Sequence, residues 1–135
     1  MEGYLYSLLG SKPTWKTSLI IGVVWGFWHA PAIAFLGFNY QFNRLVGILL
    51  FTTLAALFTY PQLLLTKRAG GSVLPSASFH GAINAMWGIT MIATRLPIEV
   101  SELMLGFGLV SIMAWAILDV MIYALDKKVF REGTK

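Results

Sequence analysis

The sequence contains no cysteine. That excludes disulfides, thiolate metal sites, a cysteine nucleophile and S-acylation, and it leaves the redox compartment unread. Charge is the second scarcity. Asp, Glu, Lys and Arg make up 12% of the 135 residues, against about 25% in an average globular domain. A soluble fold of this size would lack the polar surface to cover its apolar residues. No stretch is rich enough in Pro, Ser or charge to act as a linker, so residues 1–135 read as a single domain. The opening apolar run, 4–9, is broken by Ser7 and is too short for a cleaved signal peptide.

What remains is 57% hydrophobic and long in its uncharged runs: 17–43, 45–66, 69–94 and 103–118. A hydrocarbon core of about 30 Å takes roughly 20 helical residues at about 1.5 Å each. The pattern predicts an all-α membrane protein, a bundle of about four transmembrane helices at 15–36, 45–65, 73–92 and 103–125. Pro61 is expected to kink or end the second span, while Pro75 falls in the first turn of the third, where its missing N–H matters little. The lipid bilayer is therefore the first partner. The net charge of +4 does not point to nucleic acid, because the basic residues sit between apolar runs, where membrane topology puts them. With four spans, Lys12, Lys16, Lys67, Arg68, Lys127, Lys128, Arg131 and Lys135 share one side against Arg44 and Arg95 on the other. That bias predicts cytoplasmic termini. Gly22 and Gly26, and likewise Ala77, Gly81 and Ala85, recur every four residues and mark close-packing seams. Spans one and three are expected to pack on each other or on further helices.

Both histidines fall inside spans, His29 in WGFWHAP and His80 in SASFHGAIN. Polar groups at membrane depth usually face a bundle interior or a wet cavity. Trp25 and His29 share a helical face, as do His80 and Asn84. His29 follows Lys16 by 13 residues and His80 follows Arg68 by 12, so the two imidazoles lie at similar depths and are expected to meet, with Asn84 one turn further on. Three readings fit that spacing: an interhelical hydrogen bond worth about 0.6–2 kcal/mol, a catalytic pair, or a metal or haem site. Zinc takes four ligands or three plus water, and no HExxH is present. A Ser–His hydrolase is disfavoured, because Ser78 and His80 do not share a face and GxSxG is absent. Asp119, the one acid within a span, reads as an end-of-helix residue reaching the interface or Lys127, with a proton-relay role as the alternative. The segment carrying Arg95, Glu99 and Glu102 reads as a solvated loop, and Trp28, Trp87 and Trp115 as packing or lipid-facing aromatics.

The segments WGFWH and HGAIN resemble two motifs of the CAAX prenyl protease and bacteriocin-processing (CPBP, Abi) family of intramembrane proteases. The family is marked by EExxxR, FxxxH (often WxxxH) and HxxxN, and the likeness runs from Gly3 to about Trp87. EExxxR is absent: aligning Gly3 with the glycine that follows that motif leaves Glu2 where the arginine belongs. The expectation is a family domain truncated at its N-terminus and part of a larger bundle. The resemblance implies an intramembrane endopeptidase in which a Glu/His pair activates water. His29 would orient or deprotonate that water, His80 and Asn84 would stabilise the oxyanion, and Trp25 would form the pocket wall. Glu2 is a candidate substitute for the missing acid. No cofactor is expected; a divalent metal at His29 and His80 is the alternative. The implied substrate is a peptide or protein, either prenylated or membrane-anchored. Two other readings stay open: a catalytically inactive immunity or scaffold protein keeping the fold, and a transporter or channel fragment using the same polar residues as a path.

Overall fold

A computed structural model describes residues 2–10 and 12–132, with side chains from 4 to 10 and from 12 to 127. Glu2, Lys128, Arg131 and Lys135, which entered the reading of the missing acid and of the charge bias, lie outside the described side chains. The described residues form six helices and no strand: α1 (Glu2–Leu8), α2 (Trp15–Leu36), α3 (Arg44–Arg68), α4 (Leu74–Ala93), α5 (Ile98–Met104) and α6 (Leu109–Glu132).

Local chemistry sets the ends. Thr14 begins α2, its hydroxyl oxygen accepting the Thr17 N–H at 3.2 Å. Gly37 stops α2 at φ +68°, its N–H returning to the Ile33 carbonyl. Pro61 does not end α3, which continues to Arg68. Membrane helices tolerate an internal proline where neighbouring groups re-satisfy the freed backbone.

Among the described residues three segments are long and apolar enough to cross a membrane: Trp15–Leu36, Arg44–Arg68 and Ile98–Lys127, the last running through the break between α5 and α6. The expected count was about four. At 20 residues α4 has the length, but with Ser76, Ser78, His80 and Asn84 it does not reach the hydropathy of a membrane span. The architecture is an all-α membrane bundle.

The small-residue seams divide. A Cβ at Gly22 or Gly26 would run into the backbone of Ala56 and Thr52, so this seam joins α2 to α3 as an antiparallel hairpin. The Gly22–Gly26 seam, expected to serve packing of spans one and three on each other or on further helices, thus meets α3: a connection of seven residues, 37–43, makes α3 its nearest partner, and Thr52 and Ala56 are small at matching spacing. Gly81 has nothing within 4 Å of its would-be Cβ, and α4 buries no residue fully. The core lies where α2, α3 and the α5–α6 turn meet: Ile33, Tyr40, Leu50, Phe51, Leu54, Phe58 and Phe107.

At one end of the bundle Trp15 stacks on Tyr60 at 4.7 Å, Tyr60 meets Tyr123 edge-on, and Arg68 pairs with Asp126. The start of α2 and the ends of α3 and α6 therefore gather together.

Candidate active site

Trp25 and His29 stand one turn apart on α2, with ring centroids 5.5 Å apart. The His29 Nδ1 lies 2.9 Å from the Trp25 carbonyl oxygen. A carbonyl only accepts, so Nδ1 carries the proton in the neutral ring and Nε2 keeps its lone pair. His80, on α4, lies 5.4 Å from the same indole, centroid to centroid. Trp25 is therefore the wall that both imidazoles touch.

Two cavities meet at these rings. The inner one, about 70 Å³, is lined by His29, His80, Asn84 and Asn39 among the rings of Phe38, Phe51, Phe58 and Phe107. The outer one, about 540 Å³, shares Trp25, His29 and His80 and extends past Gln62, Thr66 and Ser76 to Tyr6, whose phenol is raised by burial. All four residues singled out in the sequence, Trp25, His29, His80 and Asn84, thus line the inner cavity, and the first three also line the outer one. Ser78 is exposed on α4 and lines neither cavity.

Among the described residues no group of three or more His, Cys, Asp or Glu converges. Two imidazoles and a neutral amide fall short of the three protein ligands a catalytic zinc takes. The donor set by itself suits hydrogen bonding to water and to a carbonyl oxygen.

The turn between α2 and α3 was not read from the sequence, and it closes the inner cavity. Glu102 is 3% exposed, which corrects the solvated reading for that residue, while Arg95 and Glu99 of the same segment are exposed as expected. Its carboxylate accepts the backbone N–H groups of Gln41 at 2.7 Å, Phe42 at 3.0 Å and Asn43 at 2.7 Å, together with the Asn43 side-chain amide. These donors lead into the N-terminus of α3, where negative charge is favoured. Tyr40 donates its hydroxyl proton to the Phe107 carbonyl at 2.9 Å. Burial, with a smaller push from the Glu102 carboxylate, raises the Tyr40 phenol, so it stays protonated and keeps donating. Gly47 admits this ring, because any Cβ there would strike it. Asn39, between the anchors, has φ +64°. A sequence signal existed only in outline: GFNYQFN, 37–43, is a polar interruption between two spans.

Asp119 is also corrected. It is 0% exposed, and neither carboxylate oxygen has a hydrogen-bond partner. Lys127 instead lies over the Tyr123 ring at 4.6 Å. Asp119 is covered although Ile117, Leu118, Val120 and Met121 around it are exposed, which position along the chain did not reveal. Trp28 is 70% exposed, whereas Trp87 stacks on Phe107 and Trp115 packs edge-on against Phe58.

Compared with known proteins, residues 1–86 match the family described as Type II CAAX prenyl endopeptidase Rce1-like. The match spans α1 to α3 and reaches past His80 and Asn84 on α4. No curated protein and no solved structure matches the chain.

Proposed function

The chain belongs to the type II CAAX prenyl endopeptidase Rce1-like family, and from that premise we propose that it is an intramembrane endopeptidase whose peptide-cleaving residues are His29, His80 and Asn84. The observation that carries this reading is the His29 Nδ1 bond to the Trp25 carbonyl. It holds the ring in one orientation and leaves Nε2 as the basic nitrogen of a cavity that His80 and Asn84 also line.

In this reading a water enters by the outer cavity and gives its proton to His29 Nε2 as it attacks the scissile carbonyl carbon. His80 and Asn84 donate hydrogen bonds to the oxygen that becomes negative. His29 then returns the proton to the departing amine. A positioned base contributes about 10²–10⁴-fold, and each preorganised oxyanion donor about 2.7–4 kcal/mol. The family's name implies a prenylated substrate. No step needs a metal, since the donor set is one of hydrogen bonds.

A second reading, a non-catalytic membrane protein that keeps the fold, is favoured by the lining of the two cavities, which holds no carboxylate among the described residues. One assay separates them. The full chain is reconstituted into lipid vesicles and offered a C-terminally farnesylated peptide. Cleavage by the natural chain, with a fall of at least about 10²-fold in both His29→Ala and His80→Ala, is the expected result. Equal cleavage by all three removes the assigned roles, and no cleavage by the natural chain selects the second reading.

A further inference from the structure

Four polar side chains line the inner cavity, and the proposed mechanism uses three. The fourth, Asn39, comes from the turn between α2 and α3, not from a helix. Its Nδ2 is buried and has no hydrogen-bond partner. A buried amide donor left unbonded is costly and uncommon in a folded protein. Its backbone is held at φ +64°, a region that non-glycine residues seldom occupy. Such strain persists where the surroundings over-determine it, and it gathers at functional sites.

Here the over-determination is visible residue by residue. On the amino side, the Gly37 and Phe38 N–H groups bond back to Ile33 and Ala32. On the carboxyl side, Tyr40 is locked to Phe107, and Glu102 takes the next three N–H groups in turn. Asn39 is the polar side chain of this clamped turn that lines the inner cavity with His29, His80 and Asn84, and its amide donor is unbonded.

We infer that Asn39 is a further catalytic residue, its Nδ2–H donating to the carbonyl oxygen of the peptide bond being cleaved, beside His80 and Asn84. The inference rests on the proposed endopeptidase reading. A simpler explanation of Asn39 is its tolerance of left-handed backbone, and glycine tests it, because glycine adopts the same conformation without strain and removes the amide.

The experiment uses the full chain in lipid vesicles as the natural protein, Asn39→Gly and Asn39→Asp, with two readouts. The first is cleavage of the farnesylated peptide. The second is the Kd for the same peptide carrying a ketomethylene group, CO–CH2, at the scissile position, which keeps the carbonyl and resists hydrolysis. Asn39→Gly is expected to lower kcat about 10²-fold, as removal of one oxyanion donor does, with KM changed far less. Asn39→Asp, which replaces the donor by an acceptor, falls further although it keeps the turn. Wild-type kcat in Asn39→Gly overturns the inference while leaving the endopeptidase reading intact. If the natural chain binds the ketomethylene peptide without cleaving its parent, a Kd raised several-fold in Asn39→Gly supports the contact, and an unchanged Kd overturns it. If the natural chain neither binds nor cleaves, the endopeptidase reading fails and this inference falls with it.

Discussion

Alanine at Gly26 and alanine at Gly81 should act in opposite directions, although both glycines sit in small-residue repeats of membrane helices. A Cβ at Gly26 would lie 2.6 Å from the Thr52 Cα, 2.8 Å from its Oγ1 and 2.9 Å from its Cβ. Carbon atoms rest at about 3.5–4.0 Å, so α2 and α3 must part by about 1 Å, and a gap of that size forfeits about a quarter to a half of the attraction between facing atoms. Overpacking of this kind costs about 1–3 kcal/mol. The better helix propensity of alanine returns about 0.5–1 kcal/mol. The net expectation for Gly26→Ala is a loss of up to about 2.5 kcal/mol, the difference of those two ranges. Gly81→Ala meets nothing within 4 Å and should therefore gain about 0.5–1 kcal/mol from propensity alone. Reversible unfolding of each variant in mixed micelles, titrated with SDS and followed by circular dichroism, reads the shift directly. The midpoint should fall for Gly26→Ala and hold or rise for Gly81→Ala. A comparable fall in both would refute the reasoning, because it would mean that α4 is packed as closely as the α2–α3 seam.

Two further substitutions probe the buried acids. Glu102→Ala leaves the N–H groups of Gln41, Phe42 and Asn43 without their acceptor, at about 1–3 kcal/mol for each one that stays buried. Amide hydrogen exchange should accelerate at residues 41–43 and stay unchanged along the α2–α3 seam, and unaltered exchange at 41–43 would contradict the clamp. Asp119→Val removes two oxygens that have no partner at a position 0% exposed, so the unfolding midpoint should rise by the equivalent of about 1–3 kcal/mol. A fall of similar size would mean that the carboxyl group has a bonding partner worth more than its burial costs.

The candidate site was legible in the sequence to the extent that it obeys helical periodicity. Trp25 with His29, and His80 with Asn84, are four apart, and both histidines follow a basic residue at the same end of the bundle, Lys16 or Arg68, by nearly the same number of residues. Spacing of that kind converts directly into face and depth. Asn39 and Glu102 obey no period. Asn39 owes its position to a left-handed turn, and Glu102 to a contact made about 60 residues away in sequence. Asp119 was misread for a related reason: distance from a helix end tells how deep a residue lies, but not which neighbour covers it.

The sequence by itself determined the environment and the elements. Charge scarcity in long runs requires lipid, because only there are such runs favourable, and lipid requires helices, because every backbone group must be bonded within its own segment. It also determined which polar groups would stand at one depth. Only the tertiary structure decided which helix each face meets. Glycine seams are satisfied by any close partner, and a short α2–α3 connection gave Gly22 and Gly26 to α3 while the repeat around Gly81 stayed uncovered. The same packing folded the α2–α3 turn over the histidines and fastened it to Glu102 and Phe107. A donor held by contacts so far apart in sequence has no local signature, since the interactions that fix it exist only once the bundle has formed.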